Sequence, residues 1–253
     1  MLNHAFRRRL LANETLVGTL VSIASTEVVE LLSLVGFDWL FLDAEHGAFG
    51  PNEIVSLLQA AGQTPCLVRI PGPDPAWIKK VLDAGATGII VPQIESQLQA
   101  QSVMQAAKYP PQGQRGVGLG RAHKYGIEFS EYLDSANENT VIVLQAESQK
   151  AVDNINEIAS VEGLDAVLIG PYDLSASLGH TGDLQHTVVQ TAIKNIADAC
   201  HQQNTQLGIF GVSAENVVPY KALGFSLLTV GVDTLFIEKE ARNALDTLKD
   251  ASP

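Results

Sequence analysis

The sequence predicts an α/β protein of the (β/α)8 barrel type, in which eight parallel strands close into a barrel surrounded by helices. Short apolar runs alternate eight times with longer stretches of helical period. The runs are apolar nearly throughout, as in parallel strands that are covered on both faces. The chain has 253 residues without a linker-like segment, and one barrel commonly has this length. We therefore expect a single domain over residues 1–253.

The strands are predicted where apolar runs have the length and composition of buried strands. They cover residues 17–22, 39–43, 66–70, 88–92, 141–145, 166–170, 206–210 and 227–231. The only charged residues in these runs are Asp43 and Arg69, and each stands within the last two positions of its run. Charge is therefore confined to the carboxyl ends of the predicted strands.

The helices are predicted where apolar residues recur with helical spacing after each run. They cover residues 26–35, 52–61, 75–84, 96–108, 150–159, 188–202, 214–223 and 235–249. A proline begins the third helix and glycines follow the ends of several, which is the usual asymmetry of helix termini. A Gly-rich basic loop at 112–126 and a short helix at 128–136 precede the fifth strand, and a loop follows the sixth.

A doubly wound sheet is the alternative architecture. It usually carries a GxGxxG phosphate fingerprint after its first strand. Residues 22–26 contain no such motif, so the barrel is favoured.

The composition excludes several classes of partner. The chain has 16 Lys and Arg against 28 Asp and Glu, a net charge of −12, which opposes nucleic-acid binding. The cluster Arg7 to Arg9 is too short to change this, and we expect it on a solvated first helix. No apolar run reaches the length of a membrane span, and the N-terminus lacks the apolar region of a signal peptide. Cys66 and Cys200 belong to no CxxC motif, so we expect reduced thiols in a cytoplasmic protein.

Polar residues gather at the carboxyl ends of four predicted strands. The second strand runs into Asp43, Glu45 and His46, the third ends near Arg69, the fifth runs into Gln145 and Glu147, and the sixth runs into Tyr172 and Asp173. In (β/α)8 enzymes the chemistry takes place at this face of the barrel. The pattern therefore predicts an active site at this face of the barrel.

Glu147 and Asp173 follow neighbouring strands and could together hold one divalent cation through oxygen ligands. Gln145 lies two positions before Glu147, so both side chains share a face of the strand. For either acid alone, helix capping or a pair with Arg69 is an equally good explanation. The three residues together favour a metal site.

His46 and Arg69 are the other candidates for chemistry. A histidine beside two acids at a strand end is a fair general base or hydrogen-bond donor. An arginine near a metal can clamp a carboxylate or stabilise an oxyanion. A purely structural pair of Arg69 with Asp43 or Glu45 remains the alternative.

Two other kinds of catalysis, and a phosphorylated substrate, find no support in the sequence. Imine chemistry needs a lysine at or near a strand end, whereas every lysine falls in a predicted helix, a loop or the tail. The GxSxG nucleophile motif is missing. There is also no evident Gly-rich phosphate cradle after the last two strands.

The chain resembles the HpcH/HpaI aldolase family, the metal-dependent class II pyruvate aldolases. The matching segments run in order over nearly the whole chain. They are residues 36–39, 42–46, 68–71, 79–85, 109–111, 115–116, 145–147 and 170–175. Each segment alone is weak evidence, but together they are highly specific.

The resemblance implies a role for each candidate residue. Glu147 and Asp173 would bind Mg²⁺, Mn²⁺ or Co²⁺. Gln145 and the backbone amides of Tyr172 and Asp173 would hold pyruvate. His46 would be the base and Arg69 the stabiliser of the enolate oxygen. The reaction would be reversible cleavage of a 4-hydroxy-2-oxo acid to pyruvate and an aldehyde. Other metal-dependent barrel lyases acting on a 2-oxo acid or phosphoenolpyruvate, and a non-catalytic binding barrel, are the alternatives.

The aldehyde is expected to be recognised loosely. Phe210 and Val212, at the end of the seventh strand, offer apolar contact. Tyr172 stands where the family commonly has a small residue, and Ala146 where it more often has a branched one; the tyrosine could narrow the substrate mouth. Arg121, in the basic loop with His123 and Lys124, could meet a distal carboxylate of the substrate.

Asp83 leads to a prediction about assembly. The resemblance implies that Asp83 orients His46. Asp83 ends the third helix, however, and should lie toward the amino-terminal face of the barrel, whereas His46 lies at the carboxyl face. A strand of this length spans about 17–20 Å, so an Asp cannot reach across it. The partner of His46 would then come from another subunit, and the resemblance implies the hexamer typical of the family. The alternative is that Asp83 merely ends its helix.

Overall fold

A computed structural model describes residues 4–250, and eight parallel strands form a closed barrel in the order of the sequence. The strands are β1 Leu16–Val21, β2 Trp39–Asp43, β3 Cys66–Arg69, β4 Gly88–Val91, β5 Val141–Ala146, β6 Ala166–Ile169, β7 Gln206–Gly211 and β8 Leu227–Val232. All eight predicted strands are present within one or two residues of their predicted bounds. The predicted (β/α)8 fold is confirmed.

Helices surround the barrel and connect its strands. They are α1 His4–Leu11, α2 Thr26–Val35, α3 Pro51–Ala60, α4 Pro75–Asp83, α5 Gln97–Ala107, α6 Phe129–Asn139, α7 Gln149–Asp153, α8 Ile155–Ala159, α9 Pro171–Ser177, α10 Thr187–Gln203, α11 Ala214–Lys221 and α12 Asp233–Asp250, with a 3-10 helix at Arg121–Gly126. The predicted loop after β6 is wrong at its start, because Pro171 begins the short helix α9. Proline is favourable there since its missing N–H has no helical partner in the first turn.

Local sequence accounts for the clean helix boundaries. The Ser25 hydroxyl accepts a hydrogen bond from the Val28 N–H and caps α2, while Gly36 ends the same helix at φ +97°. A left-handed residue is the common helix terminator, and glycine adopts it without steric strain. The Asp74 carboxylate caps α4 by accepting from the Ala76 N–H. These caps direct each chain segment back toward the next strand.

Helix α1 closes the amino-terminal end of the barrel. Phe6 and Leu10 are buried in the same apolar cluster as Trp39. Burying two such side chains stabilises the fold by about 1.5–3 kcal/mol each. The expectation of a solvated first helix is therefore wrong for one face. Arg7 is also tied down, since its Nε lies 2.8 Å from the Asp165 carboxylate, while Arg8 stays exposed.

Helix α12 has a different environment from the other helices. Its main contacts are with β8 and β1, and residues 234–250 are all exposed. Asp233, by contrast, is buried and accepts hydrogen bonds from the backbone N–H groups of Ser22 and Ile23. This carboxylate joins the start of α12 to the end of β1. Within residues 4–250 no helix is both long and apolar enough to cross a membrane.

Candidate active site

A cavity of about 170 Å³ opens at the carboxyl end of the barrel. Its polar lining contains five of the residues predicted from the sequence, and its apolar lining includes Phe210. The predicted residues that line it are His46, Arg69, Gln145, Tyr172, Asp173 and Phe210. The structure therefore brings together, from five segments distant in sequence, most of the predicted site. Glu147 adjoins the cavity through Gln145, and Val212 is not among the lining residues.

A buried ion pair organises one wall of the cavity. Asp43 and Arg69 are register partners on β2 and β3. The Arg69 Nε lies 2.8 Å from Asp43 Oδ1 and its Nη2 lies 2.7 Å from Oδ2. This bidentate arrangement is the strong form of an arginine–carboxylate pair. The structural pairing of Arg69 with Asp43 that the sequence left open is therefore present.

Arg69 also contacts two other residues of the site, Gln145 and Glu45. Its Nη1 lies 3.4 Å from the Gln145 amide oxygen, and its Nε lies 3.2 Å from the Glu45 carboxylate. Burial opposes the charge of the guanidinium, but the hydrogen bonds to Asp43 and the charges of Asp43, Glu45 and Glu147 raise the pKa of Arg69. Arg69 therefore supplies a fixed positive charge at the cavity wall.

His46 lies at the mouth of the cavity. Its side chain is 66% exposed, and its Nε2 lies 3.9 Å from the Glu45 carboxylate. The Asp43 carboxylate accepts hydrogen bonds from the backbone N–H groups of Glu45 and His46. This turn directs His46 toward incoming molecules. Asp43 consequently positions both Arg69 and His46.

Glu147 is held from both sides. Its Oε1 accepts a hydrogen bond of 2.7 Å from the Gln93 N–H, and its Oε2 accepts one from the Gln145 amide. Burial, together with the charges of Glu45 and Asp173, raises the pKa of Glu147, while the two hydrogen bonds oppose this effect. Gln93 was not predicted from the sequence. A backbone donor carries no signal in the residue type.

Glu45 belongs to the same group of acids as Glu147. Burial raises the pKa of Glu45 although Arg69 lies beside it, and Asp43 and Asp173 add to the rise. Burial is therefore the main cause of the raised pKa values of both Glu45 and Glu147.

The donor set fits a divalent ion in part. A Cβ at Gly170 would lie 3.0 Å from the Gln145 amide nitrogen and 3.1 Å from a Glu147 carboxylate oxygen, so glycine leaves room for both side chains. Among residues 4–250 no three His, Cys, Asp or Glu side chains form a complete metal site. Glu147 and Asp173 would thus hold an oxygen-seeking ion only with further ligands from solvent or substrate.

An aromatic pair, Tyr172 and Phe210, forms part of the cavity lining. The rings of Tyr172 and Phe210 lie 6.4 Å apart at an angle of 54°. Tyr172 is 39% exposed and lines the cavity. The predicted narrowing of the mouth by Tyr172 is consistent with this placement.

Asp83 is not brought to His46 within one chain. It ends α4, and its carboxylate accepts a hydrogen bond of 2.6 Å from Arg115. The Arg115 side chain is fully buried, with its guanidinium carbon 4.5 Å from the centre of the Tyr109 ring. Arg115 also donates to the Tyr132 hydroxyl at 3.3 Å. Asp83 is therefore fixed in place on a buried cationic support.

The basic loop with Arg121, His123 and Lys124 lies near Asp83 at the end of α4 and does not line the cavity. Arg121 donates to the backbone carbonyls of Leu58 and Ala84, near the carboxyl ends of α3 and α4. His123 is buried and bonded to backbone groups of its own loop. Lys124 is paired with Glu128. Arg121 does not line the cavity of its own chain, and its contact with a substrate carboxylate stays a prediction.

Comparison with known proteins identifies the family. Residues 17–239 match the sequence profile of the family described as HpcH/HpaI aldolase/citrate lyase. The chain belongs to this family. It is 37% identical to a hydroxypyruvate/pyruvate aldolase from Pseudomonas aeruginosa over 258 aligned positions, covering 98% of this chain and 94% of the relative.

Two further relatives extend the likeness. A 4-hydroxy-2-oxo-heptane-1,7-dioate aldolase from Klebsiella pneumoniae is 36% identical, with 95% of this chain and 92% of that protein covered. The crystal structure of an HpcH/HpaI aldolase/citrate lyase family protein from Burkholderia cenocepacia matches with a TM-score of 0.94 and 33% identity, over 98% of this chain and all of that one. The chain is accordingly an aldolase, a carbon–carbon lyase that acts by retro-aldol cleavage and its reverse.

Proposed function

We propose that this aldolase cleaves a 4-hydroxy-2-oxo acid to pyruvate and an aldehyde, with a divalent cation held by Glu147 and Asp173. The observation that carries the proposal is the convergence of these acids with Arg69, Gln145 and His46 around one cavity. Pyruvate also appears in the name of the relative from Pseudomonas aeruginosa. A bound Mg²⁺, Mn²⁺ or Co²⁺ would supply Lewis acidity for the charge that develops on the oxo group.

Residues of the chain would stabilise the enolate oxygen and bind the pyruvate carboxylate. Arg69 is held rigidly by Asp43 and can stabilise the enolate oxygen without reorganising. Gln145 and the N–H groups of Tyr172 and Asp173 can bind the pyruvate carboxylate, because N–H groups in the first turn of a helix lack partners within the helix. These groups determine the orientation of the oxo acid.

His46 is the proposed base. In the cleavage direction it takes the proton from the 4-hydroxyl group, and in the synthetic direction it takes a methyl proton from pyruvate. Its position at the exposed mouth lets it exchange that proton with solvent. Tyr172, Phe210 and Val212 would contact the aldehyde part through apolar and aromatic surface.

We also propose a homo-oligomer, with the hexamer of the family as the expected form. Helix α12 exposes apolar side chains along most of its length, including Ile237 at 55%, Leu245 at 51% and Leu248 at 75%. An isolated helix is marginally stable in water without packing. We therefore propose that a second copy of the chain packs against the exposed face of α12. Exposed Leu31 and Leu34 on α2 offer apolar surface for such contact. Asp83 would reach His46 of a neighbouring subunit. The cytoplasmic location stays a prediction.

The test of the proposed function is pyruvate release from 4-hydroxy-2-oxo acids, measured with a coupled dehydrogenase. EDTA should abolish turnover, and added Mn²⁺, Mg²⁺ or Co²⁺ should restore it, since Glu147 and Asp173 alone cannot supply a Lewis acid. Borohydride added during turnover is the control for imine chemistry. Full activity in EDTA, or a trapped imine, would refute the metal mechanism.

A further inference from the structure

Gln93 has an unusual backbone conformation beside the active site. It follows β4 by two residues, between buried Pro92 and buried Ile94. Its φ is +60°, in the left-handed region that residues other than Gly, Asn and Asp seldom adopt. The Gln93 side chain is exposed, so its burial does not account for the conformation. Such strain persists only where the surroundings impose it, and it clusters at functional sites.

The left-handed turn directs the Gln93 N–H at the cluster of acids. This N–H donates to Glu147 Oε1 at 2.7 Å. The side-chain amide nitrogen of Gln93 lies 3.4 Å from Glu45 Oε1. One residue thus places two donors between two carboxylates that repel each other. The Gln145 amide holds the other oxygen of Glu147, so each Glu147 oxygen has one protein donor and keeps one lone pair free.

We propose that the left-handed backbone at Gln93, rather than its side chain, positions Glu147 to receive the cation. The inference rests on the proposed function because it takes Glu147 as a cation ligand. A carboxylate held by one donor on each oxygen retains a defined direction for its remaining lone pairs. Outer groups that orient a ligand in this way commonly change metal affinity about 10–100-fold when they are lost.

The experiment is a series of substitutions at Gln93 with the affinity for Mn²⁺ measured directly by electron paramagnetic resonance, without substrate. Gln93→Gly adopts the left-handed turn readily and keeps the N–H. Gln93→Val also keeps the N–H, but a β-branched residue resists a positive φ. We expect the glycine variant to bind Mn²⁺ within about twofold of the wild type, and the valine variant to bind at least tenfold more weakly.

Asn204 provides a matched control. It also has φ near +57° but ends α10 on the outside of the barrel. Asn204→Val should lower the thermal midpoint through the same backbone strain and leave the affinity for Mn²⁺ unchanged. This comparison separates general destabilisation from the positioning of Glu147. Should Gln93→Val fail to fold, Gln93→Ala applies a milder form of the same strain, and its binding should be intermediate.

Two results would overturn the inference. One is a folded Gln93→Val protein, or a folded Gln93→Ala protein where the valine variant fails to fold, that binds Mn²⁺ as well as the wild type. The other is a glycine variant that loses as much affinity as the valine variant, which would assign the effect to the side chain. Failure of the proposed function has a different signature. In that case wild-type protein does not bind Mn²⁺, or Glu147→Gln binds it normally.

Discussion

Replacing Arg69 by methionine tests whether this guanidinium contributes to catalysis beyond its structural pair with Asp43. The Arg69 and Asp43 side chains are 10% and 2% exposed, so removing the arginine leaves a buried carboxylate with only its two backbone donors. Removing one partner of a buried ion pair typically costs about 3–5 kcal/mol. For a chain of this size that corresponds to a loss of about 6–20 °C in the thermal midpoint.

The double variant Arg69→Met/Asp43→Asn removes both charges. Asparagine keeps an oxygen that can accept the N–H groups of Glu45 and His46. We expect the double variant to recover about 0.5–3 kcal/mol relative to the sum of the single variants, which is the usual range for coupled neighbours. The measurement is thermal unfolding of all four proteins at one protein concentration, because any oligomer makes the midpoint depend on concentration.

Catalysis should follow a different pattern from stability. Loss of a fixed donor to a developing oxyanion lowers kcat about 10²–10³-fold. We expect this loss in Arg69→Met and no recovery in the double variant. If the double variant is more stable than Arg69→Met and its kcat is also more than tenfold higher, Arg69 acts only by stabilising the fold. The proposed role at the enolate oxygen would then be refuted.

Two further predictions concern the acids. Burial and neighbouring charges raise the pKa of Glu147, so the folded protein binds this proton more tightly than the unfolded chain and loses stability as pH rises above the usual carboxyl range. Glu147→Gln should therefore raise the thermal midpoint of metal-free protein at pH 7, and this gain should vanish near pH 4. Glu95→Gln is the control, because hydrogen bonds lower the pKa of Glu95, and its midpoint at pH 7 should fall slightly. An equal response of both variants would contradict the reasoning. Mixing inactive His46→Ala with inactive Asp83→Ala subunits should restore part of the activity, because some sites would then combine an intact His46 with an intact Asp83. No recovery after verified subunit exchange, or a fully active monomer, would refute the pair between subunits.

The barrel was predictable because each of its elements is specified locally. The eight apolar runs need cover on both faces, and the Gly and Pro signals at helix ends act within a few residues. Phe6 and Leu10 show where this local logic ends. The basic sequence around them predicts a solvated helix, yet both side chains are buried at the amino-terminal end of the barrel. Their burial depends on the closed barrel, whose strands supply the apolar side chains that cover them. Residues near them in the sequence do not indicate this contact.

The same distinction explains the active site. His46, Arg69, Gln145 and Asp173 could be predicted because a parallel barrel brings the carboxyl ends of its strands to one face, whatever their separation in sequence.

The groups that orient these residues could be predicted only in part, since the sequence left a pair of Arg69 with Asp43 or with Glu45 open. The bidentate pairing of Asp43 with Arg69 depends on the register of β2 and β3, and the Gln93 contribution is a backbone N–H in a strained turn. Neither register nor backbone direction is visible in residue types. The sequence therefore predicts the proposed reacting groups of this aldolase better than the contacts that hold them in place, and the structure adds most to the choice of mutations in those contacts.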